Sequence, residues 1–413
     1  MSQQTSSRAG TSLSSGRKYT FASRMAKTPK SFIREILKVT EDPRIISFAG
    51  GLPNPGLIDV DGVTRATQEV LKTDGRAALQ YSTTEGYRPL RQFIVDRYKK
   101  RLGLTISPDE ILITNGSQQC LDLIGKILIG PGDHVAIERP GYLGAIQAFS
   151  LYEPQFHPVL LHEDGLDPVQ FADTLRKYPI RLFYGVPNSQ NPSGITYSAS
   201  RRKEIASLLK GTETLLVEDD AYGELNFDGI SLPSFREYLP EQTIITGSFS
   251  KILAPGMRMG WVVAPPAIME QLVIAKQASD LHSNYLSQRI AYEYLNHVDI
   301  DAKIRIIRAQ YRSQCELMVR LIGELMPSSV TCTKPRGGMF VWITLPEGIS
   351  SMEVFEHALK KDVAVLPGSP FYTDGGGSNT LRLNFSNSTP EKIRIGLERL
   401  SEVIRDLSRA GSL

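Results

Sequence analysis

The residues from Thr246 to Trp261 read TGSFSKILAPGMRMGW, with Lys251 among serines and apolar residues and Arg258 seven positions further on. A lysine there is either a solvated surface charge or a desolvated amine. Desolvation lowers the pKa of an ammonium group and makes the amine a nucleophile that condenses with aldehydes. A second constellation is TLLVEDDAY, where Glu218, Asp219 and Asp220 follow an apolar run. Carboxylates at the end of a buried strand must meet solvent or a cation, and both readings fit. In ITNGSQQCLDL, Gly116, Ser117 and Gln118 open a helix. Backbone N–H groups at such a start bind an anion or are satisfied by an ordinary cap. The stretch VPNSQNPSG, which contains Asn191, carries turn dipeptides. The sequence has no G-x-x-x-x-G-K-[ST], H-E-x-x-H or G-x-S-x-G, so nucleotide-hydrolase, zinc-peptidase and serine-hydrolase readings lack their main support.

These residues need a scaffold that brings them together. From about Asp109 the apolar runs EILIT, HVAIE, PQFHPVLL, RLFYGV, TLLVE and TIITGS alternate with helical stretches such as QCLDLIGKILI, PVQFADTLRKY and RRKEIASLLK. Runs buried on both faces and separated by helices predict an α/β fold with a mostly parallel, helix-covered sheet. Ligands of such sheets bind beyond the carboxyl ends of the strands, where Lys251, Asp219 and the Gly116–Gln118 turn all fall. From Asn284 to about Met326 the pattern is helical and nearly unbroken, a helix expected to join two domains. GGMFVWITLP, VAVLPGS and TLRLNFS then predict a smaller α+β unit, completed by an N-terminal segment in which KSFIREILKV is helical and IISFAGGLPNP runs from a short strand into a loop. The expected divisions are a flexible polar tail over 1–20, an N-terminal arm over 21–61, a large domain over 62–300 and a C-terminal small domain over 301–413. No internal repeat is evident.

The 413 residues carry a formal charge of +3. Seven Lys or Arg lie within Met1 to Arg34, where there is no acid, leaving 40 basic against 44 acidic residues in the rest. The excess is local, and no nucleic-acid partner is expected. The tail, rich in Ser, Thr and basic residues, suits a disordered segment or an organellar transit peptide. Cys120, Cys315 and Cys332 form neither a disulfide framework nor a zinc site, so a cytoplasmic location and no metal are expected. No apolar run approaches a membrane span, and no membrane partner is expected.

Lys251 beside Arg258, Ser248 and Ser250, with the helix start at Gly116–Gln118 and one carboxylate, combines an imine-forming amine with a phosphate cradle. On a single sheet edge, that set describes a site for pyridoxal 5′-phosphate. The stretches SFAGGLPNP, LQYSTTEGYRPLR, GSQQCLDL, VEDDAYGEL, GSFSKILAPGMRMGW and TLRLNFS resemble the class I and II aminotransferases of the fold-type I pyridoxal-phosphate family. The resemblance extends from Phe21 to the C-terminus and is strongest to the 2-aminoadipate, kynurenine and archaeal aromatic aminotransferase subgroup.

It implies a large domain with a seven-stranded type of sheet, and a role for each matching residue. Lys251 would hold the cofactor and shuttle the proton, and Asp219 would keep the pyridine nitrogen protonated. Asn191 and Tyr222 would hydrogen-bond the phenolic oxygen, and Tyr142 would stack on the ring, although both tyrosines also suit a core. Gly116, Ser117, Gln118, Ser248, Ser250 and Arg258 would hold the phosphate. Tyr81 would reach the phosphate of the neighbouring subunit, which implies a homodimer with shared sites. Arg382 would clamp the substrate carboxylate as a planar fork. Gly50 and Gly51, with the N-terminal helix, would cover the substrate side chain. Arg34 would read a distal carboxylate or, alternatively, pair with Glu35 or Asp42. The implied activity is a ping-pong transamination between an acidic or aromatic amino acid and 2-oxoglutarate. Two rivals are a β-eliminating lyase of the same fold and a pyridoxal-phosphate sensor domain, whose DNA-binding module the short tail could not build.

Overall fold

The computed structural model describes residues 19–27 and 42–410. Residues 1–18 of the tail expected over 1–20, the helix KSFIREILKV and Arg34 lie outside the described residues.

A short strand, β1 (Ile46–Ser47), precedes the main sheet, which is built from β2 (Ile111–Thr114), β3 (His134–Arg139), β4 (Gln155–His162), β5 (Gly165–Leu166), β6 (Ile180–Gly185), β7 (Leu215–Asp219), β8 (Thr243–Ser248) and β9 (Gly260–Val263). Their order is β2-β9-β8-β7-β6-β3-β4-β5. The central five, β8-β7-β6-β3-β4, are parallel, whereas β9 runs antiparallel to both of its neighbours. The sheet therefore has eight strands rather than seven, because the two-residue β5 folds back as a hairpin on the outer edge of β4. The six apolar runs of the sequence form β2, β3, β4, β6, β7 and β8. The remaining full strand, β9, is the four-residue segment GWVV directly after the Gly/Pro-rich stretch that carries Arg258.

Every residue of β2, β8 and β9 is buried, as expected of Ile-, Val- and Leu-rich strands covered by helices on both faces. Fully burying each such side chain contributes roughly 1.5–3 kcal/mol. Strands β7 and β8, which end at Asp219 and Ser248, are buried along nearly their whole length.

A second sheet, β10 (Thr331–Cys332), β11 (Phe340–Thr344), β13 (Leu366–Pro367) and β14 (Thr380–Asn384), is antiparallel in the order β10-β11-β14-β13. Strand β1 pairs in parallel with β12 (Val363–Ala364), so the N-terminal segment belongs with the C-terminal part of the chain. The long helical pattern after Asn284 is two helices, Tyr285–His297 and Ile300–Leu325. The break falls at Val298 and Asp299, where Val298 is extended and the Asp299 carboxylate accepts the Ala302 N–H, starting a new helix.

Candidate active site

Lys251 ends a short 3-10 turn, Phe249–Lys251, that continues from β8. The turn forms because Ser248 Oγ accepts the Ser250 N–H at 3.1 Å, which redirects the chain as soon as the strand stops. Lys251 Nζ donates to the Gly51 carbonyl at 2.8 Å, a neutral partner. Burial, reinforced by the positive charges of Arg382 and Arg258, lowers its pKa to about 8. Roughly a tenth is therefore neutral amine at pH 7, far more than for a solvated lysine, and the neutral form is the one that attacks an aldehyde.

The three consecutive acids have separate tasks. Glu218 accepts the Ser234 hydroxyl at 2.6 Å and the Phe235 N–H at 2.9 Å, with Arg202 3.9 Å away. Asp220 accepts Asn188 Nδ2 at 2.6 Å and lies 3.6 Å from Arg101. Asp219, at the end of β7, accepts the Tyr184 hydroxyl at 2.7 Å through Oδ2, while its buried Oδ1 has no hydrogen-bond partner. Burial pushes Asp219 up to about 6, although the Tyr184 and Thr246 hydroxyls and the Ala221 N–H favour its charged form. An orphaned carboxylate oxygen is costly in a folded interior, and a cationic N–H group is the partner that would relieve it.

The anion cradle is also assembled. Helix Ser117–Leu128 starts at Gly116 with no side-chain cap, leaving its first N–H groups free of a capping side chain. Gly116 has φ 81° and ψ 165°, and a Cβ there would come within 2.7 Å of Arg258 Nη2. Arg258 itself is left-handed, at φ 51°, which turns its guanidinium back toward the helix start. A Cβ on Gly260 would meet the Gly116 and Ser117 backbone at 2.7 Å, so β9 passes flush beneath the cradle. Behind it, Asp280 accepts Asn115 Nδ2 at 2.6 Å, Gln119 Nε2 at 2.7 Å and Lys276 Nζ at 2.8 Å, fixing the turn. Gln118 Nε2 donates to the Gly144 carbonyl at 2.9 Å, tying the helix to the turn that carries Tyr142.

Across the cleft, Arg382 on β14 is 1% exposed, yet its hydrogen bonds are to neutral acceptors. Nη1 donates to Asn191 Oδ1 at 2.8 Å and Nη2 to the Ala49 carbonyl at 2.6 Å, while Nε has no partner. The guanidinium lies 4.3 Å from the centre of the Phe340 ring and 5.5 Å from that of Phe371. Burial lowers its pKa to about 10. Asn191 Nδ2 donates to the Tyr222 hydroxyl at 3.4 Å, leaving the Tyr222 proton for another acceptor. Burial raises the Tyr222 pKa and pushes Tyr142 up to about 12, so both remain neutral donors.

Lys251 thus lies with Gly51, Arg258 and Arg382, Asn191 joins Arg382 to Tyr222, and Tyr142 lies near Asp219, Arg258 and Arg382. The Gly116–Gln118 turn abuts Arg258, Ser248 and Ser250 shape the turn at Lys251, and Gly50 is buried next to Gly51. Tyr81 is 79% exposed, and its ring meets His282 edge-on at 5.8 Å. Sequence reasoning missed Tyr184, Phe340 and Phe371. A tyrosine in the buried run RLFYGV needs a polar partner, which was the available signal for Tyr184. The two phenylalanines are indistinguishable from core residues until β11 and β14 are paired.

The donors fit pyridoxal phosphate: an orphaned Asp219 oxygen suits a pyridinium, an uncapped helix start with Arg258 suits a phosphate, and a Lys251 amine with a lowered pKa suits an aldehyde. Comparison with known proteins agrees. Residues 49–400 match the family described as aminotransferase class I and II. The chain is 41% identical over 382 residues to aromatic-amino-acid aminotransferase 1 of Thermococcus litoralis, covering 91% of this chain and 92% of that protein. It is 41% identical over 381 residues to 2-aminoadipate transaminase of Thermus thermophilus, covering 91% and 94%. The crystal structure of an alpha-aminoadipate aminotransferase from Thermus thermophilus, complexed with N-(5'-phosphopyridoxyl)-L-leucine, superposes with a TM-score of 0.89 at 39% identity, covering 94% of this chain and 98% of that one. With its lysine, aspartate and anion cradle on one sheet edge, the chain belongs to the class I and II aminotransferases and is a pyridoxal-phosphate-dependent enzyme of fold type I.

Proposed function

We propose that the enzyme moves an amino group between an amino acid and 2-oxoglutarate in two half-reactions, accepting acidic and aromatic amino acids. The names of its two 41% identical relatives, one aromatic and one 2-aminoadipate, support that substrate range. The observation that carries the reading is Arg382, a buried guanidinium held by neutral groups, whose unpartnered Nε leaves it an anion to capture.

The cofactor supplies an aldehyde and an electron-withdrawing ring. Asp219 would face its ring nitrogen as an ionised partner. Gly116, Ser117 and Gln118, through backbone N–H groups, with Ser248, Ser250 and Arg258, would hold its phosphate. Tyr142 would cover the ring, and Asn191 and Tyr222 would donate to its phenolic oxygen. Arg382 and Asn191 would hold the substrate carboxylate. Lys251 Nζ, poised near pH 8, would accept and return the proton that moves during transfer. Gly50 and Gly51 would border the substrate, with Arg34 as the candidate for a distal carboxylate. Tyr81 would complete the partner's phosphate site in a homodimer, which its exposure supports. The three free cysteines support a reducing, cytoplasmic setting. Among the described residues no helix is long and apolar enough to cross a membrane.

The decisive experiment is Lys251→Ala. Turnover and the absorption band of the lysine-bound cofactor are both expected to disappear. Retention of both would remove Lys251 from the mechanism. A donor panel with 2-oxoglutarate, scored for ammonia and 2-oxo acid, identifies the substrate, and ammonia release without acceptor would point to a lyase.

A further inference from the structure

Glu138 is a buried ionisable group that no step above uses. It lies near the end of β3, 1% exposed, just before the turn that carries Tyr142. Its Oε1 accepts the Val186 N–H at 2.8 Å and the Tyr197 hydroxyl at 2.7 Å, and its Oε2 accepts Gln190 Nε2 at 2.9 Å. Gln190, also fully buried, directly precedes Asn191. Its amide is saturated: Nε2 also donates to the Pro140 carbonyl at 2.8 Å, and Oε1 accepts the Ser193 N–H at 2.8 Å and the Ser193 hydroxyl at 2.6 Å. The Gly141 N–H, in the same turn, donates to the carbonyl of Phe371, one of the rings beside Arg382.

We propose that Glu138, acting through Gln190, is a positioning residue that locks the Pro140–Tyr142 turn to the Val186–Tyr197 loop and so sets where Asn191 holds Arg382. The inference rests on the site assignment above. Two of the three groups facing Glu138, the Val186 N–H and the Gln190 NH2, can only donate, and the Tyr197 hydroxyl donates as well, so a carboxylate satisfies all three although burial pushes its pKa up to about 7. Gln190 cannot flip without placing its carbonyl against the carboxylate and Pro140 and its NH2 against Ser193. Glu138 therefore acts with Pro140 and Ser193 in fixing the orientation of the amide next to Asn191. A Gln at 138 would aim its own NH2 at Gln190 Nε2 or at Val186 and Tyr197, and neither arrangement satisfies every group.

The test is Glu138→Gln in the holoenzyme, read by two measurements that a loss of stability alone does not move. Loosening Asn191 removes a donor from the phenolic oxygen and weakens the seat of Arg382. The apparent pKa of the lysine-bound cofactor band is expected to rise by about half a unit or more, because less negative charge is drawn off the oxygen. KM for the amino acid is expected to rise about tenfold, with a smaller change in kcat. If the band titrates as in wild type and KM stays within about twofold, the inference fails, whatever the melting temperature. Should E138Q not accumulate as holoenzyme, Gln190→Met takes the same two readings, since it keeps Glu138 with Val186 and Tyr197 but cuts the link to Pro140 and Ser193. A wild-type band that does not titrate, or one that survives in Lys251→Ala, would count against the site assignment instead.

Discussion

At Asp219 burial and function pull in opposite directions. Its pKa is raised from 3.8 to about 6, so between those values the folded protein still holds a proton that the unfolded chain has released. Stability of the cofactor-free protein therefore falls as pH rises across that window, by roughly 3 kcal/mol for a shift of this size. Asn at this position keeps an acceptor for Tyr184 without the buried charge. Asp219→Asn is expected to raise the melting temperature of the cofactor-free protein more at pH 7 than at pH 4, while abolishing most activity. An equal effect at both pH values would show that the charge costs nothing. Lys251 gives a second reading at this scale. Lowered to about 8, it should make uptake of pyridoxal phosphate by the cofactor-free protein accelerate as pH rises toward 8 and level off above it, followed by absorbance on mixing. Acceleration that continues to pH 10 would mean an ordinary, solvated lysine. The chemistry of both residues was legible from type and position, since a strand-end acid and a lysine among serines are conspicuous. The orphaned oxygen of Asp219 was not, because it depends on which neighbour fails to reach it.

The element that matters most is the start of helix Ser117–Leu128. Its backbone is open to an anion only because Gly116 adopts a conformation that L-residues avoid and because no side chain separates it from Arg258. Gly116→Ala would cost about 1–3 kcal/mol in backbone strain and displace the guanidinium. The dissociation constant for the cofactor should rise by about tenfold or more, and the melting temperature should drop by a few degrees. An unchanged constant would mean that the helix start does not bind the phosphate. Strand and helix types were readable here from periodicity, and six of the seven full strands follow from apolar runs. Strand β9 escaped because four residues after a Gly/Pro-rich turn have no period of their own. The break at Asp299 escaped because a single capping residue interrupts an otherwise continuous apolar stripe.

At the scale of the whole molecule, Tyr81 is the residue the single chain leaves unused: it is exposed and turned toward His282. If it completes the partner's site, co-expressing Lys251→Ala with Tyr81→Ala should recover activity that neither homodimer has. Random pairing makes half of the dimers hybrid, each with one intact site, so recovery should approach roughly a quarter of the wild-type rate. No gain over the sum of the homodimers would place Tyr81 outside the site.

The sequence alone determined the chemistry and its platform. Apolar runs separated by helices specify a covered sheet, and Lys251, Asp219 and Gly116–Gln118 all follow such runs, because strands joined through helices run parallel and end on one edge. The tertiary structure alone decided how those groups are wired. Phe340 and Phe371 flank Arg382, Ala49 and Asn191 hold its fork, and Glu138 locks two loops 48 to 59 residues apart in the chain. Those contacts arise from the pairing of distant strands, and burial, which sets every perturbed pKa in the site, exists only once that pairing has expelled water.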